Sequence, residues 1–148
     1  MAMRFTRVHF TTMLLGTILF LTACAERDDE TQIAENIASI QAAVEEKDFS
    51  VIEKFLHSSF TANERMDKEE VGRLLKFYSL QHKKLSVTIV GSNTTLHANL
   101  LGRADSVVSV IATGSSGLLP ADGSLRKVDV EWIKTSGDWL VLNTSWRH

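Results

Sequence analysis

Between Glu30 and Glu46 the apolar residues Ile33, Ile37, Ile40 and Val44 recur every three or four positions, with Ala34 and Ala38 between them. That spacing predicts an amphipathic helix. Lys47-Asp48 interrupts it, and Asp48 can cap a second, shorter helix whose stripe is Val51, Ile52, Phe55 and Leu56, with Phe60 closing the unit. Asp67-Lys68-Glu69-Glu70 places an acceptor three residues ahead of a Glu, the form of a capping box, and opens a third helix carrying Val71, Leu74, Leu75 and Tyr78.

Beyond Lys84 the period changes to two, with Leu85, Val87 and Ile89 alternating against Ser86, Thr88 and Val90. Segments 94–101 and 106–113 are rich in β-branched residues, and Gly91-Ser92-Asn93 reads either as a hairpin turn or as a bulge in one long bent strand. Val128, Val130 and Trp132 alternate with Lys127, Asp129 and Glu131. Ser136-Gly137 then turns the chain into a last strand, 139–146. A two-residue turn there pairs Trp132 with Val141 and Lys134 with Trp139, which puts Trp132 and Trp139 on one face and Trp146 on the other. Helices followed by strands predict an α+β domain with a mainly antiparallel sheet. Segment 114–124, with three glycines and the sole proline, reads as a long connection rather than a domain boundary.

Composition changes the picture at the N-terminus. Arg4 and Arg7 precede an apolar run from Phe10 to Leu21, and no acidic residue occurs before Glu26. A basic start and about a dozen apolar residues form an export signal, too short to span a bilayer comfortably. The run ends in Leu21-Thr22-Ala23-Cys24, which resembles the bacterial lipobox. The resemblance implies that residues 1–23 are a signal peptide removed in processing and that Cys24, the only cysteine, becomes the diacylglycerol-carrying first residue. Residues 24–31 then form a short acidic tether and 32–148 the folded domain. The expected partner is membrane lipid, held through acylated Cys24, because two or more fatty chains suffice for stable anchoring. Ala25 after Cys24, in place of Asp, implies sorting to the outer membrane, facing the periplasm.

The formal charge is −2; loss of Arg4 and Arg7 with the signal, and of no acidic residue, moves it to −4. Such an acidic domain is unsuited to binding nucleic acid.

The order of elements and several phrases resemble the nuclear transport factor 2-like superfamily. The phrases are Glu46-Lys47-Asp48 with Val51-Ile52-Glu53-Lys54-Phe55-Leu56 and Phe60, then Val130-Glu131-Trp132-Ile133-Lys134, Gly137-Asp138-Trp139 and Val141. The resemblance implies a cone: three N-terminal helices packed in the concave face of a strongly bent, mainly antiparallel sheet, with a cavity at the wide end. Isomerases, dehydratases, hydrolases and binding proteins share it, so fold alone does not choose a function.

No residue set matches the carboxylate and phenol site of the superfamily's steroid isomerases, so no catalytic residue is assigned. No metal motif, phosphate loop, GxSxG elbow or CxxC pair is present, and no cofactor is expected. Tyr78, Trp132 and Trp139 are the candidate walls of a pocket or of the core. Leu118 and Leu119 are a candidate lid or partner contact, being two leucines in a Gly-rich loop. The expectation is an envelope lipoprotein acting as a binding or interaction module for an envelope protein or a small apolar ligand. The alternative is a cone-pocket enzyme acting on a small apolar molecule. Homodimerisation through the outer sheet face is a further expectation.

Overall fold

The computed structural model describes residues 28–81, 84–114, 123 and 125–146; Cys24, Leu118 and Leu119 lie outside them. The elements run α1 (Asp29–Glu46), α2 (Phe49–Phe55), β1 (Leu56–Ala62), β2 (Met66–Asp67), α3 (Lys68–Gln81), β3 (Leu85–Leu96), β4 (Arg103–Gly114), β5 (Leu125–Thr135) and β6 (Asp138–Trp146). The six strands form one sheet in the order β2-β1-β6-β5-β4-β3, antiparallel except where β1 runs parallel to β6.

Local chemistry sets the helix ends. Asp28 caps α1 by accepting from the Thr31 N–H at 2.8 Å. The helix therefore begins three residues before the expected domain boundary at residue 32. It ends at Lys47, whose φ of 60° is left-handed and whose neighbour Asp48 donates its N–H to the Ala43 carbonyl. Asp48 then caps α2 through the Val51 N–H. At α3 the capping box is reciprocal: Asp67 accepts from the Glu70 N–H at 2.8 Å, and Glu70 accepts from the Asp67 N–H at 3.0 Å.

Two expectations are corrected here. Leu56 and Phe60 belong to a strand, β1, not to a helical unit; with Ala62 they are its buried positions, facing the core between α3 and β6. A spacing of four between Leu56 and Phe60 serves a helix or a strand equally well. Leu100 and Leu101 lie in the turn between β3 and β4, because β3 stops at Leu96.

Gly91-Ser92-Asn93 is the bent-strand alternative. The register slips between Ile89 and Gly91 against β4, which makes Val90 the extra residue of a bulge. A second slip, at Leu142 in β6, lies between the pairs Glu131–Asn143 and Trp132–Val141. Each bulge bends its strand and raises the local twist. The core sits inside the resulting curve, where Ile33 and Ile37 of α1 meet Phe60, Ala104, Val108, Val130, Trp132, Trp139 and Val141.

Candidate functional site

The concave face of the sheet does not close completely against the helices. A cavity of about 410 Å³ remains between them. The helix side is the stripe Ile37, Ile40, Gln41 and Val44 of α1, spaced to share one face, with Ile52 of α2 and Val71 and Leu75 of α3. The sheet side is a field of valines. Val87 and Ile89 come from β3, Val108 and Val110 from β4, Val128 and Val130 from β5, and Val141 from β6. Alternation aims these residues inward while Asp129 and Glu131 face out.

Trp132 forms the floor. It is 1% exposed, and its indole N–H donates at 2.9 Å to the hydroxyl of Ser106, which exchanges a 2.8 Å hydrogen bond with Thr94. Away from that floor the wall residues become half-exposed, at Val87, Val110, Val128 and Trp146. The cavity therefore opens at the end of the sheet where β3 and β5 begin.

Trp146 is a third correction. The pairing of Trp132 with Val141 and of Lys134 with Trp139 is as the two-residue turn requires, yet Trp146 faces inward and lines the cavity with Thr144. The bulge at Leu142 resets the alternation, so residues 139 and 141 and then 144 and 146 point the same way.

Among the described residues, nothing ionisable lines this cavity; its polar members are Gln41 and Thr144. The Gln41 amide is already committed, donating to the Val87 carbonyl, while Glu45 one turn on accepts from the Val87 N–H at 2.8 Å. Together the two side chains pair a residue of edge strand β3 from the helix side and hold one wall of the cavity in place.

The sequence-derived candidates separate. Trp132 is at once core and cavity floor. Trp139 is buried in the core but lies outside the cavity, with its indole N–H donated at 2.9 Å to Asp29. Asp29 also takes the Lys134 ammonium at 2.6 Å, and that ammonium lies 5.9 Å from the Trp139 ring centre. Lys134 first and Trp139 second hold the Asp29 carboxyl below the ordinary carboxylate range. Tyr78 is half-exposed on α3, edge-on to Phe77, and does not line the cavity. It lies nearly one helical turn beyond Leu75, where the wall has ended.

A second depression of about the same volume, lined by Gln32, Glu35, Asn36, Lys54, Asp138 and Trp139, carries exposed charges of both signs. Among the described residues no group of three His, Cys, Asp or Glu is placed to hold a metal, and no helix is long and apolar enough to cross a membrane.

The valines, Trp146 and Ser106 escaped sequence reasoning. An inward valine in a strand carries the same signal whether it meets another side chain or an open space.

Neither protein-family models nor curated protein sequences match the chain. Solved structures do. A Bdellovibrio bacteriovorus protein superposes with a TM-score of 0.67 at 10% identity, over 78% of this chain but only 39% of its own length. A candidate ketosteroid isomerase from Shewanella frigidimarina gives 0.61 at 15% identity, over 76% of this chain and 92% of its own. A nuclear transport factor 2-like protein from Cytophaga hutchinsonii gives 0.65 at 16% identity, covering 81% of this chain and 98% of its own. At such identities the likeness speaks to architecture alone. The chain has the nuclear transport factor 2-like fold, an α+β cone of helices against a bent, mainly antiparallel sheet.

Proposed function

We propose that this protein is a lipoprotein of the bacterial envelope, acylated at Cys24, whose cone is a binding module for a small, uncharged, apolar molecule. The observation that carries the binding half is the open cavity of about 410 Å³ walled by aliphatic and indole side chains. Ligand sites are mostly apolar, with a few polar groups that fix orientation, and a volume of this size lies within their ordinary range. A charged group placed inside would lose its hydration and find no partner, at a cost of several kcal/mol. An apolar molecule loses only water. Acid–base chemistry needs a proton-carrying side chain within hydrogen-bond reach of the reacting atom, and the described wall supplies none. Binding is therefore favoured over the isomerase or dehydratase alternative.

The anchoring half is supported by the basic start, the apolar run and Leu21-Thr22-Ala23-Cys24. Native mass spectrometry of the full chain, extracted in mild detergent from the membranes of a bacterial producer, tests both halves. The expected spectrum begins at Cys24 with the added mass of fatty chains and carries a neutral apolar adduct. An unmodified Cys24 would sink the anchor, and a retained anionic or phosphorylated molecule would sink the cavity assignment.

A further inference from the structure

We propose that the turn joining β3 to β4, with Leu100 and Leu101 at its tip, rests among the lipid headgroups of the membrane that Cys24 anchors, so that the mouth of the cone points away from the bilayer. This rests on the lipoprotein reading above.

The sheet's connectivity brings the relevant parts to one end. The β3–β4 and β5–β6 turns lie at the same end because all four strands are antiparallel neighbours. The Lys134 N–H donates to the Gly102 carbonyl at 2.9 Å, tying one turn to the other hairpin, and the Lys134 ammonium reaches Asp29, the first residue of α1. Cys24 precedes Asp28 by four residues, a reach of at most about 14 Å. The lipid must lie that close to this end of the molecule.

Exposure and rigidity fit the same assignment. Leu101 is 97% exposed and Leu100 58%. The turn presents them firmly: Arg103 donates its N–H to the Leu100 carbonyl at 3.1 Å and His97 donates to the Arg103 carbonyl at 3.0 Å. Gly102 closes the turn at a φ of 72°, and a side chain there would press on Lys134. Of the other exposed apolar residues, Leu80 and Leu125 belong to the opposite, mouth end, whereas Leu96 borders this turn. A strand as long as β4, with 12 residues, spans about 40 Å. A bilayer held within the tether's reach touches the first end and not the second.

Charge decides the kind of contact. Asp28, Asp29, Glu30, Asp105 and Asp138 surround this end against Arg103 and Lys134, so attraction to anionic headgroups is not what holds it. The leucines enter as an apolar wedge beside the acyl chains.

The test uses the full chain reconstituted in phosphatidylethanolamine–phosphatidylglycerol vesicles. Acylation blocks Cys24, so Leu101→Cys and Leu125→Cys each supply one reactive thiol for a nitroxide label, and both positions are exposed enough to accept it. Collisions with oxygen and with a water-soluble nickel chelate report depth. The expected result is a label at 101 shielded several-fold from nickel and enriched in oxygen contacts, and a label at 125 fully open to nickel. Equal nickel access at the two positions overturns the proposal. Shielding at 101 that rises with protein concentration at fixed lipid also overturns it, because a second copy then covers the tip. The mass of the same preparation separates the two ideas: without fatty chains on Cys24 the anchor fails and the wedge with it, whereas an acylated chain with an open Leu101 sinks the wedge alone.

Discussion

Ser106 is 1% exposed on the inner face of β4, and its hydroxyl belongs there because the Trp132 indole and Thr94 use it. A buried indole N–H deprived of its acceptor costs about 1–3 kcal/mol. Ser106→Ala should therefore lower unfolding stability by about that amount, and Trp132→Phe added to it should cost less than the two single losses together. Chemical denaturation of the four proteins measures the coupling; strict additivity would show that the bond contributes nothing. Asp29 gives a pH dependence of definite sign. Its carboxyl is lowered by the Lys134 and Trp139 donors, so the stabilisation is complete above the ordinary carboxylate value and disappears as pH falls through the lower folded value. Its side chain is 35% exposed and that of Lys134 28%, which limits the effect to about 1 kcal/mol after screening by water. Asp29→Asn should flatten the fall in melting temperature below about pH 4, and an unchanged acid profile would contradict the assignment.

The helices and hairpins were legible in the sequence for identifiable reasons. The stripe of α1, the Asp48 cap and the Asp67–Glu70 box are local signals, and local hydrogen bonds realise each of them. The Ser136-Gly137 turn was equally plain, since both residues adopt positive φ, 54° and 95°. What local pattern could not show was long-range pairing. β1 exists because β6 offers it a parallel partner 82 residues away, between Thr61 and Asn143. The bulge at Leu142, which turns Trp146 inward, leaves no mark in composition. The edge of β3 depends on α1 in the same non-local way. Replacing Glu45 by Ala removes the acceptor of the Val87 N–H, a loss of about 1 kcal/mol or less at so exposed a group. Hydrogen exchange should quicken at Val87 while β5 amides stay protected, and uniform acceleration would mean that the clip holds nothing locally.

At the scale of the molecule, the bulges bend the sheet, the bend leaves a space that three helices do not fill, and alternation lines that space with valines. The same alternation sends the acidic residues of β5 outward, so the cone is charged outside and apolar within. Sequence could supply the cone, and an expected cavity at its wide end, by resemblance. It could not supply the cavity's size or its lining, because whether inward side chains meet or stand apart depends on sheet curvature. The central claim is that this cavity takes an uncharged apolar guest. Titration of tryptophan fluorescence with a short brominated alcohol, and with the brominated carboxylate of equal length, tests it most directly, since Trp132 and Trp146 line the wall and bromine quenches on contact. The account predicts saturable quenching by the alcohol and binding of the carboxylate weaker by about tenfold or more, the equivalent of 1.4 kcal/mol of uncompensated desolvation. Equal or tighter binding of the carboxylate, or no saturable quenching by the alcohol, would contradict it.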